Sequence, residues 1–533
     1  MNSPRMHAPS PSSGYREDAD TATVEDRPLA VRIVASIVAI HLALHLYVLA
    51  VTQFGVHRDE FLYVAMGSHL RLWRMDFPPL IAILANVSRA LFGDSLASVR
   101  VLPALEGAVL IVLAALIARE LGGGRFAQAL AATCVLAAPL YLRASTLFQP
   151  VILDQIWWTA ALYGVVRLAR TDDARWWLLV GAALGLGLLT KFSIAFVGVA
   201  LLASMLVTSQ RRWLATRWPW IAAGLALVVG SPSIVGQLRL GFPVLGQMHD
   251  LQETQLTHVT WLGFVADQPL MLGIVAWAVA LAGVVALVAT KRFEQYRVVG
   301  LTCLFAFVLL LVLHGKSYYA GPIYPALLAA GSVGLERIRR PIVGAAVRGG
   351  TIALVIAFGA VALPIAVPML SPEATARYAA RLGVGSAVRT NRGELDQLPQ
   401  DFADMLGWEE QARALASAYR SLSPDEQREA VIIGNNYGEA GAAEFYRRRY
   451  GLPPVVSTAG SFWYFGPGEL PGRVTITIGE TIPGMQRFFG DVREAAHLVS
   501  PWSVREERDR RVLIARQPKT TLQAIWASEA GRH

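Results

Sequence analysis

The sequence predicts a mainly α-helical, polytopic membrane protein of about eleven spans, followed by a smaller extracytoplasmic α/β domain. Three observations carry that reading. Of the 533 residues, 54% are hydrophobic and only 16% charged, where a soluble chain carries about 25% charged residues. Mean hydropathy is +0.43. The apolar residues gather in runs close to the roughly 20 residues that a helix needs to cross a bilayer. Past about residue 370 the charge density becomes ordinary. The same numbers exclude a disordered chain, a collagen-like fibre and a disulfide-rich scaffold. Cys134 and Cys303 both lie inside apolar runs, so no disulfide framework is expected.

Taken in order, residues 1–28 are rich in Ser, Pro, Asp and Arg and read as a disordered tail with no signal peptide. The first span is expected over 29–51. Others follow at roughly 97–118, 125–147, 150–168, 176–191, 193–208, 217–236, 267–290, 297–314, 321–337 and 349–370. Pro79 to Phe92 is apolar but short, with Arg89 inside it, and reads as an amphipathic helix lying at the interface. Beyond the spans, Val431–Ile433, Val474–Ile478 and Val512–Ala515 are candidate strands, with helical patterns such as Glu439 to Tyr450 between them. The expected domains are therefore a tail over 1–28, a transmembrane domain over 29–370 and an α/β domain over 371–533.

Orientation follows from the basic loops. Every second loop is clustered: Arg119/Arg125, Arg167/Arg170/Arg175, Arg211/Arg212/Arg217, Lys291/Arg292/Arg297 and Arg337/Arg339/Arg340. The net charge of +9 is thus topology and not a nucleic-acid-binding face. The positive-inside rule puts the N-terminal tail in the cytoplasm, and an odd number of spans puts the C-terminal domain outside. The Ala- and Arg-rich, Lys-poor composition fits a bacterium with a high-GC genome, so a multi-pass protein of the bacterial inner membrane is expected.

Polar chemistry concentrates on the outer face. The first external loop reads His57-Arg58-Asp59-Glu60-Phe61-Leu62-Tyr63, then Arg74-Met75-Asp76-Phe77-Pro78-Pro79. Paired carboxylates next to a span are costly near lipid and mark a functional site by default; the plain alternative is a solvated loop with Asp59 capping the next helix. Asp154 opens the fourth span on the same face, either in the site or as a helix cap. Lysine occurs at only four positions, 191, 291, 316 and 519. Two of them, Lys191 and Lys316, fall on the outer side. Lys316, followed by Tyr318 and Tyr319, can reach a lipid phosphate at the interface; the alternative is a snorkelling lysine with an interfacial tyrosine belt. Arg58, Arg100 and Arg143 are further outer cations that suit a bidentate phosphate grip. No His, Asp and Glu group has metal-ligand spacing, so no metal or other cofactor is expected, with a carboxylate-bound divalent cation left open.

The run Asp59-Glu60 with Tyr63, then Asp76-Phe77-Pro78-Pro79, then Phe92-Gly93-Asp94-Ser95 and Arg100, resembles the start of the family 39 glycosyltransferases. These include protein O-mannosyltransferases and lipid A aminoarabinose transferases. Three later segments are similar to bacterial members: Gly185 to Lys191, His314 to Tyr319 with Pro322 and Tyr324-Pro325, and Asn435 to Ala442. The resemblance covers about residues 50 to 460. Each motif is weak alone, and their order and spacing are specific together. It implies the GT-C fold, a polyprenyl-phosphate-linked sugar as donor, and an acceptor of unstated kind outside the cytoplasm. It assigns the general base to Asp59, supported by Glu60, and gives an acidic residue at the position of Asp154 a part in the site. Donor phosphate contacts are expected from Lys316, Tyr318, Tyr319, Lys191 and Arg58. Relatives carry a His-Asn pair before the aromatic segment where this chain has Ala459-Gly460-Ser461-Phe462-Trp463, which weakens any transfer of acceptor recognition to the C-terminal domain.

The other class that fits is a membrane transporter of a lipid-linked or polar solute. It should show internal repeats and broken mid-span helices. Neither is visible in the sequence.

Overall fold

The computed structural model describes residues 27–529 apart from 339, 384, 389 and 391. The first 26 residues of the expected tail, and Arg339 of the last basic cluster, lie outside the described residues. Each expected span contains a helix: Val31–Val51, Val101–Glu120, Arg125–Ala137, Pro150–Thr171, Trp176–Leu188, Ile194–Leu206, Trp218–Leu240, Ile274–Ala289, Arg297–Val312, Tyr324–Glu336 and Pro341–Ala366.

Two expectations about them are corrected. Among the described residues, five helices are long and apolar enough to cross a membrane, or up to seven if each bent pair is one span. Trp176–Leu188, Ile194–Leu206 and Tyr324–Glu336 have 13 residues each, because the apolar runs continue into the turns that end them. Hydropathy reads composition and does not see where the backbone turns. The span expected over 267–290 is also broken: Trp261–Leu272 and Ile274–Ala289 meet at 111°. The break falls at Gly273, whose φ of +94° suits glycine alone, with Pro269 one turn earlier. A mid-span break is thus present where none was read from the sequence.

Small residues let the helices close on one another, as is usual where packing, not hydrophobicity, drives association in lipid. A Cβ on Gly331 would lie 1.9 Å from the Val279 carbonyl, and one on Gly283 would lie 1.9 Å from that of Leu327. Helices Ile274–Ala289 and Tyr324–Glu336 therefore touch backbone to backbone. The main core, including Trp158, Tyr141 and Ile117, fills the space between the spans.

Two shorter helices lie between the first two spans. Arg58–Ser68 is closed at its start by a capping box in which the His57 side chain accepts from backbone N–H while Glu60 accepts from the His57 N–H. His57, and not Asp59, is the cap. Leu80–Phe92 is the expected short amphipathic helix, burying Ile81, Ala82, Ala85 and Ser88 and exposing Val87, Leu91 and Phe92.

The C-terminal region folds around a five-stranded sheet of order β2-β1-β3-β5-β4, with β1 Ala430–Gly434, β2 Val455–Val456, β3 Val474–Ile478, β4 Phe489–Val499 and β5 Asp509–Pro518. β1 pairs in parallel with β2 and β3, while β3 and β4 pair antiparallel to β5. All three strands expected from the sequence are present. The sheet domain docks on the Arg58–Ser68 helix through Phe61, which is fully buried with ring centroids 5.4 Å from Phe445 and 6.0 Å from Trp408. A Cβ on Gly441 would come within 2.7 Å of Phe61 Cβ, so glycine is what permits this approach.

Candidate active site

The two adjacent carboxylates of the Arg58–Ser68 helix have opposite fates. Glu60 is fully buried and fully engaged: it is ion-paired with Arg100, and accepts from the Phe148 N–H at 2.8 Å and the His57 N–H at 2.7 Å. Arg100, itself buried, also donates to the Gly55 carbonyl at 2.9 Å. Neither group is open to a ligand, so Arg100 leaves the set of cations that could grip a phosphate. Asp59 is half-buried and held only by neutral donors. The Tyr437 hydroxyl donates to its Oδ1 at 2.9 Å and the Gln149 amide to its Oδ2 at 3.2 Å. Among the described residues no Lys, Arg or His is ion-paired with it.

Tyr63 stands one turn further along the same helix. Burial raises its hydroxyl well above the usual range, and the charge of Asp59 and the hydroxyls of Tyr437 and Tyr319 add to the rise. Its ring packs against Phe77 at 6.5 Å between centroids.

Tyr318 and Tyr319 pack edge to face at 4.7 Å, and the Lys191 ammonium lies 4.2 Å from the Tyr319 ring centroid and 5.5 Å from that of Tyr318. Lys191 reaches this position because its helix is pressed into its neighbours: a Cβ on Gly185 would meet Val229 at 2.6 Å, and one on Gly187 would meet Ile194 at 2.3 Å. Behind it Asp154 is buried and accepts from Ser193 at 2.8 Å and Trp158 at 3.0 Å. Gln149 is the N-terminal boundary of that helix, so Asp154 is not its cap. Lys316 sits at the start of the 3₁₀ turn carrying the tyrosines, its ammonium 2.6 Å from Gln255 Oε1.

Residues from beyond the spans complete the surround. Arg143 donates to Asp401 at 2.9 Å, and its guanidinium lies 4.7 Å from the Phe402 ring centroid. Burial pushes the Asp401 carboxyl up, but Arg143 and His57, with Lys316 further off, outweigh it and hold the group below its ordinary value. Arg58 faces the C-terminal region: its Nε lies 3.3 Å from Asp404 and its guanidinium 5.7 Å from the Tyr437 ring centroid. Burial raises Asp404 to about 6, with Arg58 and His57 pulling it down and Asp59 and Asp401 pushing it further up. Arg58 therefore serves the junction with the C-terminal region, and it lines one cavity with Gln255, the partner of Lys316.

The structure thus holds Asp59 against Tyr437 and Gln149, sets Lys191 over Tyr318 and Tyr319, rests Lys316 on Gln255, and engages Glu60 and Arg58 with Arg100 and Asp404. Sequence reasoning missed Gln149, Gln255, Asp401 and Asp404. Asp401 and Asp404 are spaced three apart, a signal that could have placed them on one helix face. Among the described residues no group of three or more His, Cys, Asp or Glu could hold a metal ion.

Residues 76–235 match the family described as dolichyl-phosphate-mannose-protein mannosyltransferase. The segment begins at Asp76 and runs through Asp154 and Lys191. Among solved structures, ArnT from Cupriavidus metallidurans, in the apo state, superposes with a TM-score of 0.58 at 19% identity, covering 92% of this chain and 98% of that one. The chain has the GT-C glycosyltransferase fold. The oligosaccharyltransferase of Archaeoglobus fulgidus aligns more loosely, with a TM-score of 0.48 at 13% identity over 84% of this chain and 70% of that one. No curated protein matches by sequence.

Proposed function

We propose that this membrane glycosyltransferase takes a sugar from a polyprenyl-phosphate-linked donor and transfers it, with inversion, to an acceptor hydroxyl outside the cytoplasm. The observation that carries the reading is the difference between the two carboxylates: Glu60 is consumed by Arg100, while Asp59 is half-buried and accepts from two uncharged donors. A carboxylate so placed can accept a proton, and general-base assistance contributes typically about 10²–10⁴ in rate.

In this reading Asp59 removes the acceptor proton as the acceptor oxygen bonds to the anomeric carbon. The bond from that carbon to the phosphate oxygen breaks, and its electron pair leaves on the polyprenyl phosphate. Lys316 releases Gln255 to meet that phosphate, and Lys191 offers a second ammonium beside Tyr318 and Tyr319; fixed cations aimed at a developing charge are an efficient form of catalysis. No metal enters this scheme. The description of the matching family supports a lipid-phosphate donor. The alternating Arg clusters support an inner-membrane protein with its tail in the cytoplasm and its sheet domain outside. The break at Gly273 and the second bent pair, Ile194–Leu206 with Ser209–Ala215 at 109°, are features that a transporter would share.

Purified protein in detergent, given a labelled polyprenyl-phosphate sugar and a membrane extract as acceptor source, should release free polyprenyl phosphate and label the acceptor. Turnover of a nucleotide sugar in its place, with the lipid-linked donor inert, would overturn the donor assignment.

A further inference from the structure

The groups that hold Asp59 come from distant parts of the chain. Gln149 precedes the Pro150–Thr171 helix, and Tyr437, 378 residues away from Asp59, opens the Tyr437–Phe445 helix of the sheet domain. The turn bearing Tyr437 is fixed on every side. Asn436 accepts from the Gly438 N–H at 2.9 Å and the Glu439 N–H at 3.0 Å, while Glu439 accepts from the Asn435 N–H at 2.8 Å and the Asn436 N–H at 3.2 Å. The Asn436 amide donates to Glu507 at 2.9 Å. Arg510 then ties both buried carboxylates together, 3.1 Å from Glu439 and 2.9 Å from Glu507. The Tyr437 ring itself packs where a Cβ on Gly460 would lie 3.4 Å from it. So much fixing of one turn gives the hydroxyl a definite direction, toward Asp59 Oδ1.

We propose that Tyr437 is a positioning residue of the transfer reaction, by which the sheet domain completes the membrane site, its hydroxyl fixing the Asp59 carboxylate through Oδ1. This rests on the reading of Asp59 as the base. The charged and titratable groups facing Asp59 are Arg58 and Tyr63 of its own helix, Tyr437 of the sheet domain and Asp404 of the segment before Trp408. Burial and the Asp59 charge both raise the Tyr437 hydroxyl, so it stays a proton donor across the working range. A hydrogen bond donated to a carboxylate favours its ionised form, and its loss raises the pH at which that carboxylate becomes available.

The test is the pH profile of kcat/KM for the purified full chain with a labelled polyprenyl-phosphate sugar, comparing wild type, Tyr437→Phe and Asp59→Asn. Tyr437→Phe keeps the ring and its packing. It should move the acid limb up by about one pH unit and lower kcat about tenfold near that limb, with donor KM unchanged. A ring-fluorinated tyrosine at 437, the same shape but a stronger donor, should move the limb down. A wild-type profile in both, with Asp59→Asn inactive, would overturn the proposal and leave the base assignment standing. A pH-independent loss in Tyr437→Phe, with reduced thermal stability, would also overturn it, as a merely structural residue. Full turnover in Asp59→Asn would overturn the base assignment and this proposal with it.

Discussion

Lys316 is the proposed phosphate contact whose partner in the structure is uncharged. Its ammonium is held by the neutral amide oxygen of Gln255, a partner that an anionic phosphate outcompetes. Lys316→Ala should weaken donor binding by roughly 1.5–3 kcal/mol, the worth of a charge-assisted contact, and Lys316→Arg should restore only part of it because a planar fork does not match a point charge. Titration of a labelled polyprenyl phosphate into each variant measures this; equal affinity in wild type and Lys316→Ala would make the lysine a snorkelling one. Glu60→Gln should act on the fold instead. Removing one charge of a buried ion pair costs about 3–5 kcal/mol, so its melting temperature in detergent should fall well below that of Asp59→Asn. Asp76 gives a pH signature. It is buried against Ser461, which donates to it at 2.8 Å, and burial raises it to about 6. A carboxyl whose folded value lies above its unfolded one destabilises the protein when ionised, so the penalty is present above about pH 6 and is relieved as pH falls toward 4. The gain in melting temperature of Asp76→Asn over wild type should therefore be larger at pH 7.5 than at pH 5, and a gain independent of pH would show that Asp76 pays no such penalty. The sequence made Asp59, Lys191 and Lys316 visible because a charge at a span end is costly and rare. It did not reveal Gln149 and Gln255, because neutral amides leave no such trace.

Single helices were legible where one signal dominated. Each apolar run read as a span contains a helix, and Val-, Ile- and Thr-rich segments located β1, β3 and β5. The two-residue β2 and the charged, mostly exposed β4 lack a buried apolar pattern and passed unnoticed. Helix ends inside apolar runs were invisible for the same reason, as was the break at Gly273, which is a matter of backbone angle and not of hydropathy. The close pair Ile274–Ala289 and Tyr324–Glu336 offers the sharpest test at this scale. Gly331→Val should force the two backbones apart and destabilise the protein by roughly 1–3 kcal/mol or more, whereas a valine at Gly334, where a Cβ meets nothing within 4 Å, should be tolerated. Thermal melting of the two variants side by side decides it.

In the molecule as a whole, the helical bundle meets the sheet domain where the Tyr437 hydroxyl reaches Asp59. The C-terminal domain was foreseen from its charge density, but its entry into the site was not, since a contact spanning 378 residues leaves no local pattern. A reporter active only in the cytoplasm, fused after Ala527, should be silent; activity would invert the topology and move the site to the wrong side. The central claim is chemical, however, and Asp59→Asn tests it most directly. The substitution keeps the size of the side chain and removes its basicity. Sugar transfer from a labelled polyprenyl-phosphate donor should fall by about 10²–10⁴ while donor binding and melting temperature stay at wild-type levels. Near-normal transfer at equal folded protein and donor occupancy would contradict the account.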